Sequence, residues 1–336
     1  MSAPSSIVPV IDLSAYYDED AGSDGRARVA RAVDSACREI GFLVVAGHRV
    51  PHAVVQDAFG AAFAFFDSSD AIKASALPPD KRVRGYTPIG RQALARSLQD
   101  ETPPDLFERF RMGAFDFPMD DYHASRAAGW FAANVWPSGP AGFREALQAY
   151  YGAMELLARD LMRIFALALD LPERYFDASI GRHISSLCLN HYPALAVSPQ
   201  PGQLRAGAHT DYGSLTIVAP TTAPGRLQVL TRSGAWLDIE PGPGQFVVNI
   251  GDLMAQWTND RWVSTLHRVG NPPVTAQANS RRMSLVFFHQ PDDDALVECI
   301  PTCLAPGVAP TYSPVTSGEH LRLKIDRQFT PQNKAA

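Results

Sequence analysis

The sequence predicts an α+β fold in which helices, mainly from the N-terminal half, pack outside an antiparallel β-sandwich or barrel formed by the second half. Apolar residues recur at helical spacing in several stretches before residue 171. After residue 184, short apolar runs follow one another closely, separated by Gly, Pro, Asn and Asp. No linker or shift in composition marks a boundary, so we expect residues 1–336 to form a single domain.

The first half alternates short strands with amphipathic helices. In chain order, the pattern predicts a strand over 7–13, a helix over 26–41, a strand over 42–47 and a helix over 51–67. Residues 78–140 are rich in Pro and aromatic residues, and we interpret them as ordered loops and short helices on the folded body. The longest helical pattern covers 142–170, and Pro172 follows its end.

The second half contains seven apolar runs of strand length, several of which alternate apolar and polar residues. The predicted strands are SLCLNHY (186–192), LRAGAHT (204–210), SLTIVAP (214–220), LQVLT (227–231), AWLDI (235–239), QFVVNIG (245–251) and RMSLVFFHQ (282–290). No long helical pattern interrupts them before the last twenty residues. Strands at such regular spacing are typical of an antiparallel sandwich or barrel.

Composition and charge exclude several classes of protein. The chain is 46% hydrophobic and 19% charged, which is typical of a globular protein. A net charge of −5 gives no broad basic surface for nucleic acid, and no apolar run is long enough for a membrane span. The N-terminus lacks the pattern of a secretory signal, so we expect a cytoplasmic location. Four scattered cysteines without a CxxC motif predict reduced thiols.

Two histidines and one aspartate form the candidate metal site. His209 and Asp211 lie two residues apart in GAHTDYGS, so on an extended strand their side chains would share a face. His267, in STLHRVGNP, supplies a second imidazole from a later run. Two His and one carboxylate form the facial triad of non-haem Fe(II) oxygenases, which leaves positions open for a co-substrate and O₂. A His-x-Asp motif alone carries no weight, because a chain of this composition contains roughly one by chance.

An arginine and a serine on the last predicted strand form a candidate anion site. Arg282 and Ser284 are two residues apart and would therefore point to the same side of the strand. A guanidinium inside a barrel is unfavourable unless an anion meets it. A divalent iron bound to Asp211 has a net charge of +1, and Arg282 adds another +1. A dicarboxylate, with a charge of −2, would neutralise the site. The alternative is a surface arginine, which is how we interpret the neighbouring Arg281.

These motifs together resemble a known enzyme family over nearly the whole chain. The sequence is similar to the iron- and 2-oxoglutarate-dependent dioxygenases of the isopenicillin N synthase-like superfamily, including thymine hydroxylase-like proteins. The matching pieces include VPVIDLS, REIGFLVVAGHRVP, RGYTPIG, NHYP, LRAGAHTDYGSLTIV, IGDLMAQWTNDRWVSTLHRV and RRMSLVFFHQP. The resemblance implies a double-stranded β-helix (jelly-roll) core. It also implies a family N-terminal region over 1–140 and a catalytic jelly-roll half over 180–295.

The resemblance also implies a role for each motif residue. His209, Asp211 and His267 would be the Fe(II) ligands. The distal carboxylate of 2-oxoglutarate would be bound by the Arg-x-Ser pair and by the Tyr192 hydroxyl, while Asn190 would lie near the metal-bound end. The implied reaction uses O₂, with ascorbate in support, and releases succinate and CO₂ while a small organic molecule is oxidised, most commonly by hydroxylation.

Other activities remain open on the same sequence. An iron-dependent oxidase, a desaturase, a cyclising enzyme or an ethylene-forming enzyme would use the same iron centre. A non-catalytic jelly-roll binding module is an alternative from another class. Residues 78–140 are expected to shape specificity, but no motif indicates which substrate is used or how many copies of the chain assemble.

Aromatic and charged residues near the motifs are candidates for lining the substrate pocket. We name Phe288, Phe110 and Arg205 as candidates, with core packing as the alternative for each. Arg111 is a weaker candidate for lining the pocket, and we favour a structural role for it. Strand alternation predicts that His191 points away from the side used by its neighbour Tyr192.

Overall fold

The computed structural model describes residues 8–79, 84–98 and 102–329. The first residue of the strand predicted over 7–13 and parts of the 78–140 segment lie outside these ranges. The helices are α1 (Ser14–Tyr17), α2 (Gly22–Glu39), α3 (His52–Phe66), α4 (Asp70–Ser75), α5 (Phe143–Ala168), α6 (Asp252–Trp257) and α7 (Ser317–Phe329). None of the helices in the described ranges is both long enough and apolar enough to span a bilayer.

Fourteen strands are present in the described ranges. They are β1 (Val10–Asp12), β2 (Phe42–Ala46), β3 (Gly85–Thr87), β4 (Glu108–Gly113), β5 (Ser186–Tyr192), β6 (Ala206–His209), β7 (Leu215–Pro220), β8 (Leu227–Leu230), β9 (Trp236–Ile239), β10 (Phe246–Ile250), β11 (His267–Val269), β12 (Arg282–His289), β13 (Leu296–Val297) and β14 (Val315–Thr316). The helices predicted over 26–41, 51–67 and 142–170 correspond to α2, α3 and α5. The predicted mixed fold with a β-rich second half is therefore confirmed.

The strands form one large sheet, one smaller sheet and a short pair. The large sheet has the order β1-β2-β10-β7-β12-β5-β4-β3, and the smaller one has the order β6-β11-β8-β9. Every pairing is antiparallel except that of β1 with β2. Strands from the N-terminal region therefore complete both edges of a sheet whose centre comes from the second half.

The large sheet buries both of its faces, and the strand period decides which side chain lies on which face. On β12, Leu285 and Phe287 pack into the main core beneath the helices, while Val286 packs into a second core with Val229 of the small sheet. The same alternation places Arg282 on the side that faces the small sheet. Functional side chains are thus held between two sheets, because the opposite face is filled by apolar packing.

Helices cover the outer face of the large sheet. The long helix α5 packs against both α2 and α3 and contributes a row of fully buried residues that includes Tyr151, Leu161 and Phe165. Burial of such side chains contributes roughly 1.5–3 kcal/mol each, so this layer makes the large sheet a rigid support. Residues of both chain halves share this one core, from Ile11 to Ile300.

The 78–140 segment contains two strands where the sequence predicted only loops and short helices. Strands β3 and β4 extend the large sheet beyond β5, with Arg109 opposite Asn190 in the register. The prediction was wrong here because β4 reads ERFRMG, whose alternating charges hide its apolar face. Pairing with the neighbouring strand β5 decides its structure. The predicted short helices are present at Leu94–Leu98 and Tyr122–Arg126.

Gly41 illustrates how tightly the two halves are joined, and we expect Gly41→Ala to lower the free energy of unfolding by about 2–4 kcal/mol. Its φ of 68° lies in the left-handed region, and a Cβ there would overlap the carbonyl oxygen of Val263. Gly60 is the matched control because it lies exposed within α3 with open space around its Cα. Gly60→Ala should stabilise the protein by about 0.5–1 kcal/mol. Urea denaturation of both variants checks this, and effects of the same sign would contradict it.

Candidate active site

The two histidines and the aspartate singled out in the sequence converge between the two sheets. Strand β6 ends at His209, β11 begins at His267, and these two residues are directly opposite in the antiparallel register. Asp211 lies just beyond the end of β6, so its approach depends on the turn after the strand and not on strand alternation. One donor atom from each of the three residues lies within 4.8 Å of the others.

Backbone carbonyls orient both imidazoles. Nδ1 of His209 lies 2.8 Å from the Gly207 carbonyl oxygen, and Nδ1 of His267 lies 3.1 Å from that of Thr265. A carbonyl can only accept a hydrogen bond, so each Nδ1 carries the proton and each Nε2 has a free lone pair. Both Nε2 atoms face Asp211, at 3.8 Å from Oδ1 for His209 and 3.7 Å from Oδ2 for His267. This tautomer is the one that can bind a metal.

The protonation states of His209 and Asp211 match the needs of a metal. Burial, followed by the charge of His267, lowers the pKa of His209 well below its ordinary value. Burial opposes ionisation of Asp211, but the two histidines and hydrogen bonds from Asn249 and Thr216 bring its pKa below the usual value. Near neutral pH, a neutral His209 imidazole therefore faces an ionised carboxylate, and metal binding requires no proton release from these two groups.

Asn249 is a site residue that the sequence analysis missed. Its Nδ2 donates a hydrogen bond of 2.7 Å to Oδ2 of Asp211, and the Asn249 side chain is almost fully buried. The available signal was an amide within the otherwise apolar run QFVVNIG. A buried amide needs a partner, so its presence in that strand could have indicated the site.

A buried arginine without an anion lies beside the three converging residues. Arg282 is only 3% exposed, and its Nη1 lacks a hydrogen-bond partner within the described part of the chain. Its guanidinium carbon lies 5.4 Å from the ring centre of Tyr192, and Ser284 is opposite Asn190 in the register. These four residues share one cavity with His209, Asp211 and His267. An uncompensated buried cation is unfavourable, so this cavity is suited to a carboxylate.

A second, outer cavity of about 310 Å³ opens on the other side of His209 and Asp211. Its volume is at the lower end of the roughly 300–1,000 Å³ typical of small-molecule pockets. The residues that line it include Arg84, Arg91, Leu94, Arg96, Arg109, Arg111, Trp130, Ile184, Tyr212, Phe288, Leu321 and Ile325. The C-terminal helix α7 therefore forms part of its wall, which the sequence did not indicate.

The three candidate pocket-lining residues differ in where the structure places them. Phe288 faces both cavities. Phe110 is fully buried on the opposite face of the sheet, where it packs against Phe65 and Phe143, so that prediction was wrong. Arg205 lines neither cavity, because its guanidinium donates to the carbonyl oxygens of Pro193 and Pro224 and to Ser280.

Two further interpretations can be compared with the structure. Arg111, for which the sequence favoured a structural role over pocket lining, lines the outer cavity. His191 lies outside both cavities, as strand alternation predicted, with Nδ1 2.8 Å from Oε1 of Glu108 and its ring stacked on Phe66.

Comparisons with known proteins identify the family. The profile of the 2OG-Fe(II) oxygenase superfamily matches residues 184–291, and that of the N-terminal region of a non-haem dioxygenase in morphine synthesis matches residues 8–139. The chain is 32% identical over 329 residues to the 2-oxoglutarate-Fe(II) type oxidoreductase hxnY of Emericella nidulans, covering 94% of this chain and 88% of that protein. The chain belongs to the 2OG-Fe(II) oxygenase superfamily. The oxygenase therefore depends on Fe(II), 2-oxoglutarate and O₂, and the resemblance stated from the sequence is confirmed.

Other relatives of the oxygenase differ in the small molecules that their names specify. Homoarginine-6-hydroxylase 2-ODD-233 of Oryza sativa is 30% identical, with 98% of this chain and 99% of that protein covered. A full-length protein of Neurospora crassa, whose crystal structure is of its complex with alpha-KG and thymine, superposes with a TM-score of 0.83 at 26% identity. That comparison covers 97% of this chain and 98% of the Neurospora crassa protein.

The oxygenase has residues that fit both of the groups that its family requires. Two imidazole nitrogens and a carboxylate within 4.8 Å of one another are a donor set suited to Fe(II). The partnerless Nη1 of buried Arg282 fits a carboxylate of 2-oxoglutarate. A divalent iron and Arg282 would together balance Asp211 and the double negative charge of 2-oxoglutarate, which agrees with the charge argument made from the sequence.

Asp105 joins the segment around Leu94 to strand β6, and its burial predicts a pH dependence of stability. Its carboxylate accepts hydrogen bonds of 2.8 Å from the backbone N–H groups of Leu94 and Gly207. Burial raises the pKa of Asp105 from 3.8 to about 6, although these hydrogen bonds oppose the shift. A carboxyl with a raised pKa stabilises the fold below its unfolded pKa, and this stabilisation is lost as the pH rises through about 6.

We therefore expect the stability of the wild type, relative to Asp105→Asn, to fall by up to about 3 kcal/mol between pH 4 and pH 7. Urea denaturation at pH values across this range measures the difference. Asp57→Asn, on the exposed side of α3, is the control for loss of one negative charge. A difference that does not depend on pH, or that favours the wild type as the pH rises, would contradict the prediction.

Proposed function

We propose that this oxygenase hydroxylates a small organic molecule held in the outer cavity, with His209, Asp211 and His267 as its Fe(II) ligands. The convergence of these three donors beside a cavity of about 310 Å³ is the observation that carries the proposal. The names of its relatives point the same way, since homoarginine and thymine are both small molecules. When bound, the iron supplies the oxidative decarboxylation of 2-oxoglutarate to succinate and CO₂, which drives oxidation of the substrate.

We further propose that the inner cavity binds 2-oxoglutarate. Arg282 and Ser284 would hold its distal carboxylate, and the Tyr192 hydroxyl would donate to the same group. Asn190 would lie towards the metal-bound end, where its Oδ1 already accepts a hydrogen bond of 2.7 Å from Nε of Arg109. The support for this arrangement is that all four residues line one cavity with the donor set, while the guanidinium has no carboxylate partner there.

The protein's own contribution would be positioning and exclusion of water. The carbonyls of Gly207 and Thr265 hold the imidazoles in the metal-binding tautomer, and Asn249 holds the carboxylate of Asp211. The two facing sheets would correspond to the double-stranded β-helix of the family, with 180–295 as the catalytic half. A single domain over the whole chain is supported by the core that both halves share.

The test is substrate-stimulated succinate formation with Fe(II), 2-oxoglutarate, ascorbate and O₂, screened against a library of small organic molecules. Hydroxylation predicts that the product gains one oxygen atom from ¹⁸O₂. A product that has lost two hydrogen atoms without gaining the label would replace hydroxylation by desaturation or cyclisation. Ethylene released without any substrate would indicate the ethylene-forming reaction. Absence of 2-oxoglutarate turnover under all conditions would overturn the proposal.

A further inference from the structure

Arginine side chains gather on one wall of the outer cavity. Arg84 directly precedes β3, and Arg109 and Arg111 lie on β4 with their side chains on the cavity side of the sheet. Their positions on β4 alternate with those of Phe110 and Met112, which point into the core. Arg91 and Arg96, both exposed, add two further positive charges to the lining.

None of the three inner arginines pairs with a carboxylate among the described residues. Arg84 donates through Nη2 to the carbonyl oxygen of Trp130, and its buried Nε has no partner. Nε of Arg111 donates to the Cys188 sulfur at 3.0 Å, and Nε of Arg109 donates to Asn190. The terminal nitrogens of Arg109 and Arg111 have no hydrogen bond to any described group. They remain available to a ligand.

Burial makes these unpaired charges unfavourable. Arg109 is only 6% exposed, and burial lowers its pKa from the ordinary value. Burial, with a smaller contribution from the charge of Arg111, also lowers the pKa of Arg84, to about 10. Because arginine stays charged in proteins, the guanidinium of Arg111 repels those of Arg84 and Arg109. An anion between them would remove this unfavourable energy.

Neither the metal nor the co-substrate provides that anion. Asp211 is the carboxylate that lines the outer cavity within the described ranges, and it belongs to the donor set. The divalent iron, Asp211, 2-oxoglutarate and Arg282 already balance one another without Arg84, Arg109 and Arg111. Arg84, Arg109 and Arg111 therefore have no ion-pair partner among the described residues, and the substrate is the component of the reaction that can supply one.

Apolar side chains also line the same cavity. Trp130, Phe288, Leu321 and Ile325 line it, and the Phe288 ring centre lies 5.9 Å from the guanidinium carbon of Arg111. A ligand that fills the cavity would therefore meet guanidinium groups as well as aromatic and aliphatic side chains. This pattern favours a molecule with an anionic group on an apolar framework.

We propose that the substrate is a small organic anion with an apolar body, whose anionic group is bound by Arg84 and Arg111. The inference rests on the proposed function, because it assigns the outer cavity to the substrate. Carboxylates and phosphates both suit a guanidinium fork. Arg109, which borders both cavities, separates the bound anion from 2-oxoglutarate and screens the repulsion between them.

The test compares acids with their neutral amides on full-length protein under argon, loaded with Mn(II) and saturating 2-oxoglutarate so that the Arg282 site is filled. The probes are phenylacetate, 3-phenylpropionate and hexanoate, each paired with its primary amide, together with phenyl phosphate. Calorimetry gives the affinities, and the paramagnetic relaxation that Mn(II) induces in the probe protons reports binding near the metal. We expect acids to bind roughly ten- to hundredfold more tightly than amides. Comparing the affinities of phenyl phosphate and phenylacetate shows which anionic group the site prefers.

Variants test whether Arg84 and Arg111 cause the preference for acids. Arg84→Gln/Arg111→Gln should remove most of the preference for acids, and Arg111→Lys should retain part of it because the charge remains. Arg31→Gln, on the exposed face of α2, loses the same charge elsewhere and should keep the full preference. The proposal would be overturned if the wild type bound acids and amides equally tightly throughout the panel. It would also be overturned if the double variant kept the full preference for acids.

The same titrations in metal-free protein separate this inference from the proposed function. Suppose that the metal-free protein still prefers acids, while the Fe(II)-loaded protein fails to convert 2-oxoglutarate to succinate. That result would overturn hydroxylation and keep the anion site. Succinate formation without any preference for acids would keep the proposed function and overturn the anion site.

Discussion

His209→Ala is expected to abolish tight Fe(II) binding and to lower 2-oxoglutarate turnover by at least about a thousandfold, since a bound metal contributes several kcal/mol to such a reaction. The His209 imidazole presents Nε2 to the site because its Nδ1 is held by the Gly207 carbonyl. Alanine would remove one of the three converging donors and leave Asp211 with a single imidazole neighbour. Calorimetric titration with Fe(II) under argon and a succinate assay measure the two effects.

The matched control is His52→Ala, which removes an exposed histidine from the start of α3. It should leave both Fe(II) affinity and turnover unchanged, because that side chain lies on the surface of the helical layer. Wild-type turnover in the His209→Ala variant would show that the converging residues are not the metal site. The proposed function would then lose the observation that carries it.

Arg282→Met is expected to have opposite effects on co-substrate binding and on the stability of the free protein. Loss of one partner from a buried charged pair costs about 3–5 kcal/mol, so the 2-oxoglutarate concentration for half-maximal turnover should rise by at least about a hundredfold. In the free protein, Nη1 of buried Arg282 has no partner among the described residues, so a methionine of similar length should leave the free energy of unfolding unchanged or raise it.

Thermal unfolding with and without 2-oxoglutarate separates the two effects. The wild type should gain stability when 2-oxoglutarate is added in the presence of a divalent metal, whereas Arg282→Met should not. Arg281→Met is the matched control, because Arg281 lies on the opposite face and bonds to Asp67 and His191. Arg281→Met should keep the 2-oxoglutarate response. An unchanged response in Arg282→Met would disprove the assignment of the anion site.

Both of these predictions use residues that the sequence singled out, and the reason is periodicity. Strand β12 spans Arg282–His289, close to the predicted run, and strand β5 has the predicted bounds. A period of two then places Arg282 and Ser284 on one face whatever the rest of the fold does. The spacing of His209 and Asp211 was informative for a different reason, since Asp211 lies beyond the strand and reaches the site through the following turn.

The substrate pocket was much less predictable. Phe110 and Phe288 both lie on strands rich in aromatic residues, yet one is in the core and the other faces the cavities. The pairing of β4 with β5 decides the face of Phe110, and that of β12 with β5 decides the face of Phe288. Strand β4 itself was not recognised from the sequence. The positions of Arg84 and Arg111 were equally unpredictable from sequence. Nothing in their local sequence indicates that they share a cavity with Leu321 of the C-terminal helix.

The amino-acid sequence by itself determined the family, the metal-ligand candidates, the co-substrate motif and most of the strands, because each depends on residue type and short-range period. The tertiary structure alone decided which side chains surround the substrate. That set is assembled from β4, β12, α7 and the segment around Trp130, which are far apart in the chain. Their meeting depends on strand pairing and helix packing across the whole molecule, and the excess of positive charge on one wall appears only when they meet.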